Sequence, residues 1–350
     1  MSGIQRRELL VGTAAVALAG CATTTPAQQP LRRVAFGSCF DQSQAKQPVW
    51  DAILAAKPDL FLFGGDNVYC EMPFTRERLR EAYAQASTSA GLRRVRETIP
   101  HLAIWDDHDY GQNDGGADFA GKQVAKEEFL AYWNVPANDA RRQREGLYTS
   151  QAFGPPGQRV QVIVLDTRWF RSPWKRTDQR DAPGKERYVA DADPSKTILG
   201  AAQWAWLEQQ LREPAQVRLI LSGYQVLAEG HGWERWGLLP HEKQKLLRLL
   251  ADTRAGGVVL LSGDRHIGTF YRDPGTAYPL TEVTASGFTH TWEAAREAGP
   301  NRIGELFTEL HFGTVDIDWA ARAIQLALVD LQGRTRRSVA LSFDELKVTA

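Results

Sequence analysis

Six short apolar runs break off on residues able to do chemistry, and most of the intervals between them carry helical patterns. VAFG ends on Ser38-Cys39, LFLFG on Gly65-Asp66-Asn67-Val68-Tyr69, and HLAIW on Asp106-Asp107-His108-Asp109. VIVL ends on Asp166-Thr167-Arg168, LILS on Gly223-Tyr224, and VVLLS on Gly263-Asp264-Arg265-His266. Between them PVWDAILAAK, FTRERLREAYAQA, AGKQVAKEEFLAYW, GAAQWAWLEQQLR and HEKQKLLRLLADT read as helices, while LYTSQAF and VQVIVLD read as a strand pair. The tail changes character: TEVTAS, LHFGTVDID, AIQLALVD and SVALSF follow one another without helices, which predicts mostly antiparallel pairing there. Alternation first and strands later predicts an α/β chain, a four-layer α/β/β/α sandwich with two central mixed sheets and helices outside.

Hydrophobic residues make up 43% of the 350 and aromatics 10%, enough to bury one large core or two modest ones. Lys+Arg and Asp+Glu both number 42, so the chain lacks the basic footprint of a constitutive nucleic-acid binder. A compact basic cluster is still compatible with a phosphorylated small substrate. The polar stretch Ser172–Thr197, dense in Asp, Arg, Lys and Pro, reads as an insertion loop over the strand edges, either functional or merely mobile.

At the N-terminus, Arg6-Arg7 precede an apolar run from Leu9 to Gly20, well short of the ~18 consecutive apolar residues that span a bilayer. The pair resembles a twin-arginine export signal, and LAGC resembles a bacterial lipobox with Cys21 as the lipidated residue. An uncleaved anchor or an ordinary signal peptide is the alternative. The expected organisation is a signal at 1–20, a tether at 21–30 and one domain over 31–350. The protein would be periplasmic or in the cell envelope, touching the membrane only through its lipid, with no protein partner predicted. Cys39 and Cys70 then remain, either paired as a disulfide or doing separate jobs.

IWDDHDYGQND, Ile104–Asp114, sets four aspartates and a histidine directly after a strand. Buried carboxylates at this density repel one another unless a cation sits among them. Taken alone, such a turn is most simply an acidic surface turn; what raises it is the company of the other strand ends. In open α/β sheets the loops at the carboxyl ends of the strands converge, so groups up to some two hundred residues apart should meet. Carboxylates, a histidine, a tyrosine and a cysteine make a mixed anionic donor set, suited to a trivalent or borderline ion beside a harder one such as Ca²⁺, Mg²⁺ or Mn²⁺. Two cations bridged by a carboxylate activate water and bind a phosphoryl oxygen, which points to hydrolysis of a small-molecule phosphate ester.

In this order, GSC (Gly37–Cys39), GDNVY (Gly65–Tyr69), WDDHD (Trp105–Asp109), LDTR (Leu165–Arg168) and SGDRH (Ser262–His266) resemble the PhoD-type alkaline phosphatases, relatives of the purple acid phosphatases among the calcineurin-like metallophosphatases. The resemblance runs from about Arg33 to the C-terminus. It implies phosphomonoesterase or phosphodiesterase activity, with Cys39, Asp66, Tyr69 and His266 holding an iron ion, Fe³⁺, and Asp66 bridging. It further implies Asp107 and Asp264 on a second cation or cations, Ca²⁺ with Mg²⁺ or Mn²⁺ as alternatives, and Asp106 or Asn113 as further contacts. His108 would face the phosphate as general acid or electrostatic stabiliser, steered by Asp109. Family members often carry Glu where Asp109 stands, and larger ones have an additional N-terminal β domain for which this chain has no room.

Arg168 and Arg265, with Asn113, are candidates for gripping phosphate oxygens, the alternative for each arginine being an ion pair with a neighbouring aspartate. Asp166 is expected to orient a loop. Trp233 and Trp236, with His231 in EGHGWERWG, either wall the substrate pocket or pack over the core. His290 follows a strand and could line the site, with a structural role as its default; His101 and His311 are given no catalytic role. Two rival readings are a cysteine hydrolase using Cys39 with His108 or His266, and a non-catalytic envelope lipoprotein.

Overall fold

The computed structural model describes residues 29–348 apart from 45–46, 71–72 and 298. The expected export signal, Cys21 and the tether as far as residue 28 therefore lie outside the described residues. Every strand-like run of the N-terminal part forms a strand: β1 (Arg33–Gly37), β2 (Leu60–Gly64) and β3 (His101–Ile104). Helices α1 (Val49–Ala56), α2 (Arg76–Ala86), α3 (Ala90–Thr98), α4 (Asp107–Tyr110) and α5 (Lys122–Tyr132) occupy the intervals and follow β3. Then come β4 (Thr149–Phe153), β5 (Val160–Val164), α6 (Gly200–Arg212), β6 (Val217–Ser222), α7 (Pro240–Asp252), β7 (Val258–Ser262), β8 (Gly268–Asp273) and β9 (Leu280–Ala285). The tail supplies β10 (Arg302–Phe307), β11 (His311–Asp318), β12 (Ala323–Asp330) and β13 (Thr335–Ser342). Among the described residues, no helix is long and apolar enough to cross a membrane.

Helix α3 was not expected from the arginine-rich AGLRRVRET. Its apolar stripe is only Leu92 and Val95, both buried, and Ser89 caps it by accepting from the Leu92 amide at 3.3 Å. Contact with Trp50 completes it: a side chain on Gly91 would fall 2.5 Å from the Trp50 Cβ.

The strands form two mixed sheets, ordered β13-β12-β11-β1-β2-β3 and β10-β8-β9-β7-β6-β5-β4. In the first, β1, β2 and β3 run parallel; in the second, β5, β6, β7 and β9 do. Residues of β2, β5, β6, β7 and β9 are buried throughout, as parallel strands covered on both faces must be. The tail does not build a sheet of its own. Strands β11 to β13 extend the first sheet antiparallel from β1, β9 pairs parallel with β7, and β8 and β10 finish the second sheet. Each addition covers an edge whose backbone groups would otherwise be unpaired.

The two sheets meet face to face with helices outside, the four-layer sandwich expected from the sequence. Contact is close at Gly268 of β8, where a side chain would come within 2.6 Å of Leu328 on β12. Under the first sheet, Trp50 packs edge-on against Phe40 and Phe288, with ring centroids 4.9 and 5.4 Å apart. The carboxyl ends of β1 and β7 touch across the sandwich: a β-carbon on Gly263 would lie 2.5 Å from Ser38 Oγ. Loops from both sheets thereby converge on one seam.

Candidate metal centre

The residues on this seam are held in unusual backbone conformations. Cys39, Asp66, Asp114, Asp264 and His266 all have left-handed φ, at 65°, 48°, 52°, 67° and 54°. They make up half of the ten non-glycine residues so disposed among the described residues. Each such residue costs about 1–3 kcal/mol and persists only where surrounding structure over-determines it. Gly65, at φ 103°, makes the approach to Asp106 possible, since a side chain there would sit 2.5 Å from the Asp106 Cβ.

A first donor group joins Cys39, Asp66, Tyr69 and His266. The Cys39 thiol lies 3.4 Å from Asp66 Oδ2, and the Tyr69 hydroxyl lies 3.2 Å from the same oxygen and 3.2 Å from His266 Nε2. Ser38 Oγ and Ser286 Oγ flank the sulfur at 3.4 and 3.3 Å. Burial, then the neighbouring Asp66, pushes the Cys39 thiol and the Tyr69 phenol well above their ordinary ranges. Burial, then His290 and Arg265, lowers His266 to about 3, so its imidazole is neutral with a lone pair to offer.

A second group joins Asp106, Asp107 and Asp264, with one oxygen of each within 4.8 Å of the others. Asp66 and Asp107, with a ring nitrogen of His108, form a third group by the same measure, linking the first two. The donor set fits cations. Asp106 Oδ2 and Asp107 Oδ1 are buried without a hydrogen-bond partner, and orphaned carboxylate oxygens are seldom left so without cause. Burial, then Asp107 and Asp106, raises Asp66 well above the carboxylate range; burial, opposed by Arg265 and reinforced by Asp107, raises Asp264 to about 7. Burial would raise Asp107 as well, but His108 and Arg168 outweigh it and hold that group below the usual range. A site this rich in unneutralised carboxylates is one that positive charge would stabilise.

His108 is half-buried over the junction. Its amide donates to Asp66 Oδ1 at 3.2 Å, and its ring lies against Tyr69 with centroids 4.1 Å apart. Asp109 does not steer that ring, contrary to the sequence-based expectation. Its Oδ1 accepts from the Asp106 amide at 2.6 Å, and its Oδ2 from the Asn67 amide and side chain at 3.3 and 2.5 Å. One oxygen closes the turn at the start of α4, and the other ties that turn to the loop after β2.

The arginines also differ from their assignment as phosphate grips. Arg168 is fully buried, bonding Asp106 at 2.6 Å and Glu234 at 2.8 Å, with Asp107 at 3.8 Å. Arg265 pairs with Glu297 and lies over Trp233, 4.8 Å from its ring centroid. Both are committed to carboxylates: Arg168 pairs with an aspartate as the alternative had it, whereas Arg265 pairs with a glutamate. Asn113 is exposed, on the rim beside Asp114 rather than among the donor groups. Asp166 accepts from Trp105 Nε1 and from the amides of Leu147, Arg168 and Trp169, ordering its loop as expected.

Cys39 and Cys70 are not joined to each other. A nucleophilic role for Cys39 is opposed by its complete burial and its neighbouring carboxylate, both of which disfavour the thiolate.

Several members of the site lie beyond the six strand ends read from the sequence. His290 Nε2 lies 3.3 Å from both the Tyr69 hydroxyl and His266 Nε2, making it part of the pocket wall rather than a remote structural histidine. Glu234 and Asp114 form a further close group with Asp107. Asp114 was visible in the sequence as the last residue of IWDDHDYGQND; Glu234, inside EGHGWERWG, and Ser286 had no comparable mark.

Comparison with known proteins agrees with this architecture. A sequence profile described as PhoD-like phosphatase matches residues 34–294. The solved structure of PhoD superposes with a TM-score of 0.69 at 16% identity, over 91% of this chain and 69% of that one. Purple acid phosphatase PPD1 from yellow lupin (Lupinus luteus) seeds superposes with a TM-score of 0.59 at 13% identity, over 91% of this chain. The match spans 55% of the length of the lupin protein. Among curated proteins, none matches by sequence.

Proposed function

The chain belongs to the PhoD-like phosphatase family, and from that premise we propose that it hydrolyses phosphate esters, monoesters and diesters alike, using metal ions held by the donor groups at the seam. The observation that carries this reading is the linkage of those groups: Asp66 is common to Cys39 and His266 on one side and to Asp107 and His108 on the other, and Asp107 continues to Asp106 and Asp264. A thiol, a phenol, an imidazole and a carboxylate suit trivalent iron, so Cys39, Tyr69, His266 and Asp66 are our iron ligands. The carboxylates Asp106, Asp107 and Asp264 suit a hard cation, which we assign as Ca²⁺, with Mg²⁺ or Mn²⁺ able to replace it. When bound, such ions lower the pKa of water and neutralise charge on the phosphoryl oxygens.

His108, half-buried with its ring tilted against Tyr69, is the group we assign to donate a proton to the departing ester oxygen. Asp66 holds its backbone by accepting the His108 amide. Asp109 acts one step back, fixing the turn that carries Asp107 and His108. Activity on diesters is supported by the cavity of about 330 Å³ beside Asn113, which leaves room for a second ester substituent.

Elemental analysis of protein purified without chelator, paired with turnover of p-nitrophenyl phosphate and bis(p-nitrophenyl) phosphate, tests the reading. Both activities should vanish on metal removal and return when iron and calcium are restored. Activity that survives complete metal removal but falls on thiol alkylation would transfer the chemistry to Cys39.

Residues 1–20 are, in the same reading, an export signal of a single-domain envelope protein anchored through Cys21; the support is the Arg6-Arg7 pair and LAGC. Labelling with a fatty-acid analogue should mark the wild type and not Cys21→Ala; equal labelling of the two would remove the anchor.

A further inference from the structure

The stretch Ser172–Thr197 is tied down across the mouth of the site. Arg176 and Tyr188 form an antiparallel bridge, and the Thr177 and Val189 amides donate to Arg187 O and Lys175 O, each at 3.0 Å. The Arg187 and Tyr188 amides both donate to Gly232 O, at 3.1 and 2.8 Å, fastening this strap to the loop that carries Trp233 and Glu234. Its inner side is keyed to the site itself: Asp114 Oδ2 takes Arg187 Nη1 at 2.7 Å and the Tyr188 hydroxyl at 2.8 Å. The Asp114 amide in turn donates to Asp107 Oδ2 at 2.8 Å.

The cavity of about 330 Å³ between strap and site is lined by Arg176, Arg180, Arg187, Asn113, Asp114 and Tyr188, together with Thr177. Three arginines and a single carboxylate line it, and Arg187 is the one paired with that carboxylate. Arg176 has no ion pair among the described residues, while Arg180 meets only Asp181, at 3.7 Å with both side chains largely in water. Arg176 and Arg180 therefore line this cavity without a buried counter-ion, and the cavity's own carboxylate, Asp114, adjoins Asp107 through its amide. Guanidiniums on an open wall match the oxygens of a phosphate.

We propose that this strap forms a second anion subsite, selecting phosphate esters whose leaving group carries another phosphate. The inference rests on the phosphoester hydrolase reading and adds a substrate class to it: small molecules with two phosphates, one presented at the metal-binding groups and the other to Arg176 and Arg180. Arg187 and Tyr188, anchored on Asp114, position the strap so that the two phosphates are gripped together.

The test compares fructose 1,6-bisphosphate with fructose 6-phosphate, two sugars differing by one phosphate, on the metal-replete full chain, with released phosphate as readout. The wild type should show a kcat/KM for the bisphosphate about tenfold above that for the monophosphate, the size of about one charge-assisted contact. In Arg176→Ala/Arg180→Ala that ratio should collapse towards one, mainly through KM, and in the wild type it should shrink as salt is raised. Both arginines are exposed, so folding is not at stake. A wild-type ratio near one, or a ratio unchanged in the double variant, overturns the subsite. If neither sugar phosphate nor p-nitrophenyl phosphate is turned over, the hydrolase reading itself has failed, which is a separate result.

Discussion

Asp66→Ala is expected to lose both bound metal and turnover. Among the described residues, no other side chain belongs to both the thiol-phenol-imidazole group and the group containing His108: its Oδ2 faces Cys39 at 3.4 Å and Tyr69 at 3.2 Å, and its Oδ1 holds the His108 amide. In the proposed two-cation reading, truncation would remove a ligand shared by both ions and free the backbone that aims the proposed proton donor. A bound cation supplies several kcal/mol of transition-state charge stabilisation, and each 1.36 kcal/mol is tenfold, so kcat/KM should fall by roughly a thousandfold or more. Folding should not suffer. The alanine removes a buried carboxylate surrounded by like charges, so the metal-free variant should be at least as stable as the metal-free wild type. Elemental analysis, kinetics and chemical denaturation measured together separate these effects; full activity with normal metal content would show that Asp66 bridges nothing.

Arg168→Met is the variant in which stability, rather than chemistry, should collapse. Arg168 is completely buried and is bonded to Asp106 and Glu234, with Asp107 close by. Breaking a buried ion pair by removing one partner costs about 3–5 kcal/mol, because the charge left behind has neither water nor counter-ion. Arg168→Lys should rescue only part of this, since one ammonium cannot reproduce the fork that reaches Asp106 and Glu234 together. In urea, the unfolding midpoint of Arg168→Met should drop sharply with little change in slope. Added Ca²⁺ should raise the variant's midpoint, because the abandoned carboxylates still attract a cation. A midpoint equal to that of the wild type would mean that the carboxylates are neutral in the folded protein and that Arg168 compensates nothing.

Much of this architecture was legible in the sequence because strands and ligands announce themselves locally. An apolar run that stops on Asp, His or Cys names the strand, its end and its chemistry together, which is how Cys39, Asp66, Asp107, Asp264 and His266 could be picked out before any fold was known. What a run of letters does not encode is which neighbour a side chain will choose. Arg168 and Arg265 look alike as phosphate grips, and only burial beside Asp106, Glu234 and Glu297 decides otherwise. Asp109 is a different case, since Asp-x-x-Asp at the start of a short helix is a local capping pattern; reading it as one would have explained where its Oδ1 goes, though not the bond of its Oδ2 to Asn67. Ser286 and Glu234 were the least accessible, because their roles depend on how the second sheet is laid against the first; His290 was visible as a residue after a strand, though not as a neighbour of Tyr69 and His266. The tail pairs mostly antiparallel as expected, but strand pattern gives only period and length, whereas its division between the two sheets is settled by which sheet edge lies open.

The seam draws Cys39, Asp66 and Asp107 from the first sheet and Asp264, His266 and His290 from the second. A cation seated there works as a clasp between two slabs that otherwise meet through apolar faces. Neither slab can then slide or peel without tearing out donors, so loading with metal should fuse two potential unfolding steps into one. Starved of metal, the same chain would keep its layers while losing their registry, and susceptibility to proteolysis along that seam would become a gauge of how well a cell supplies the ions.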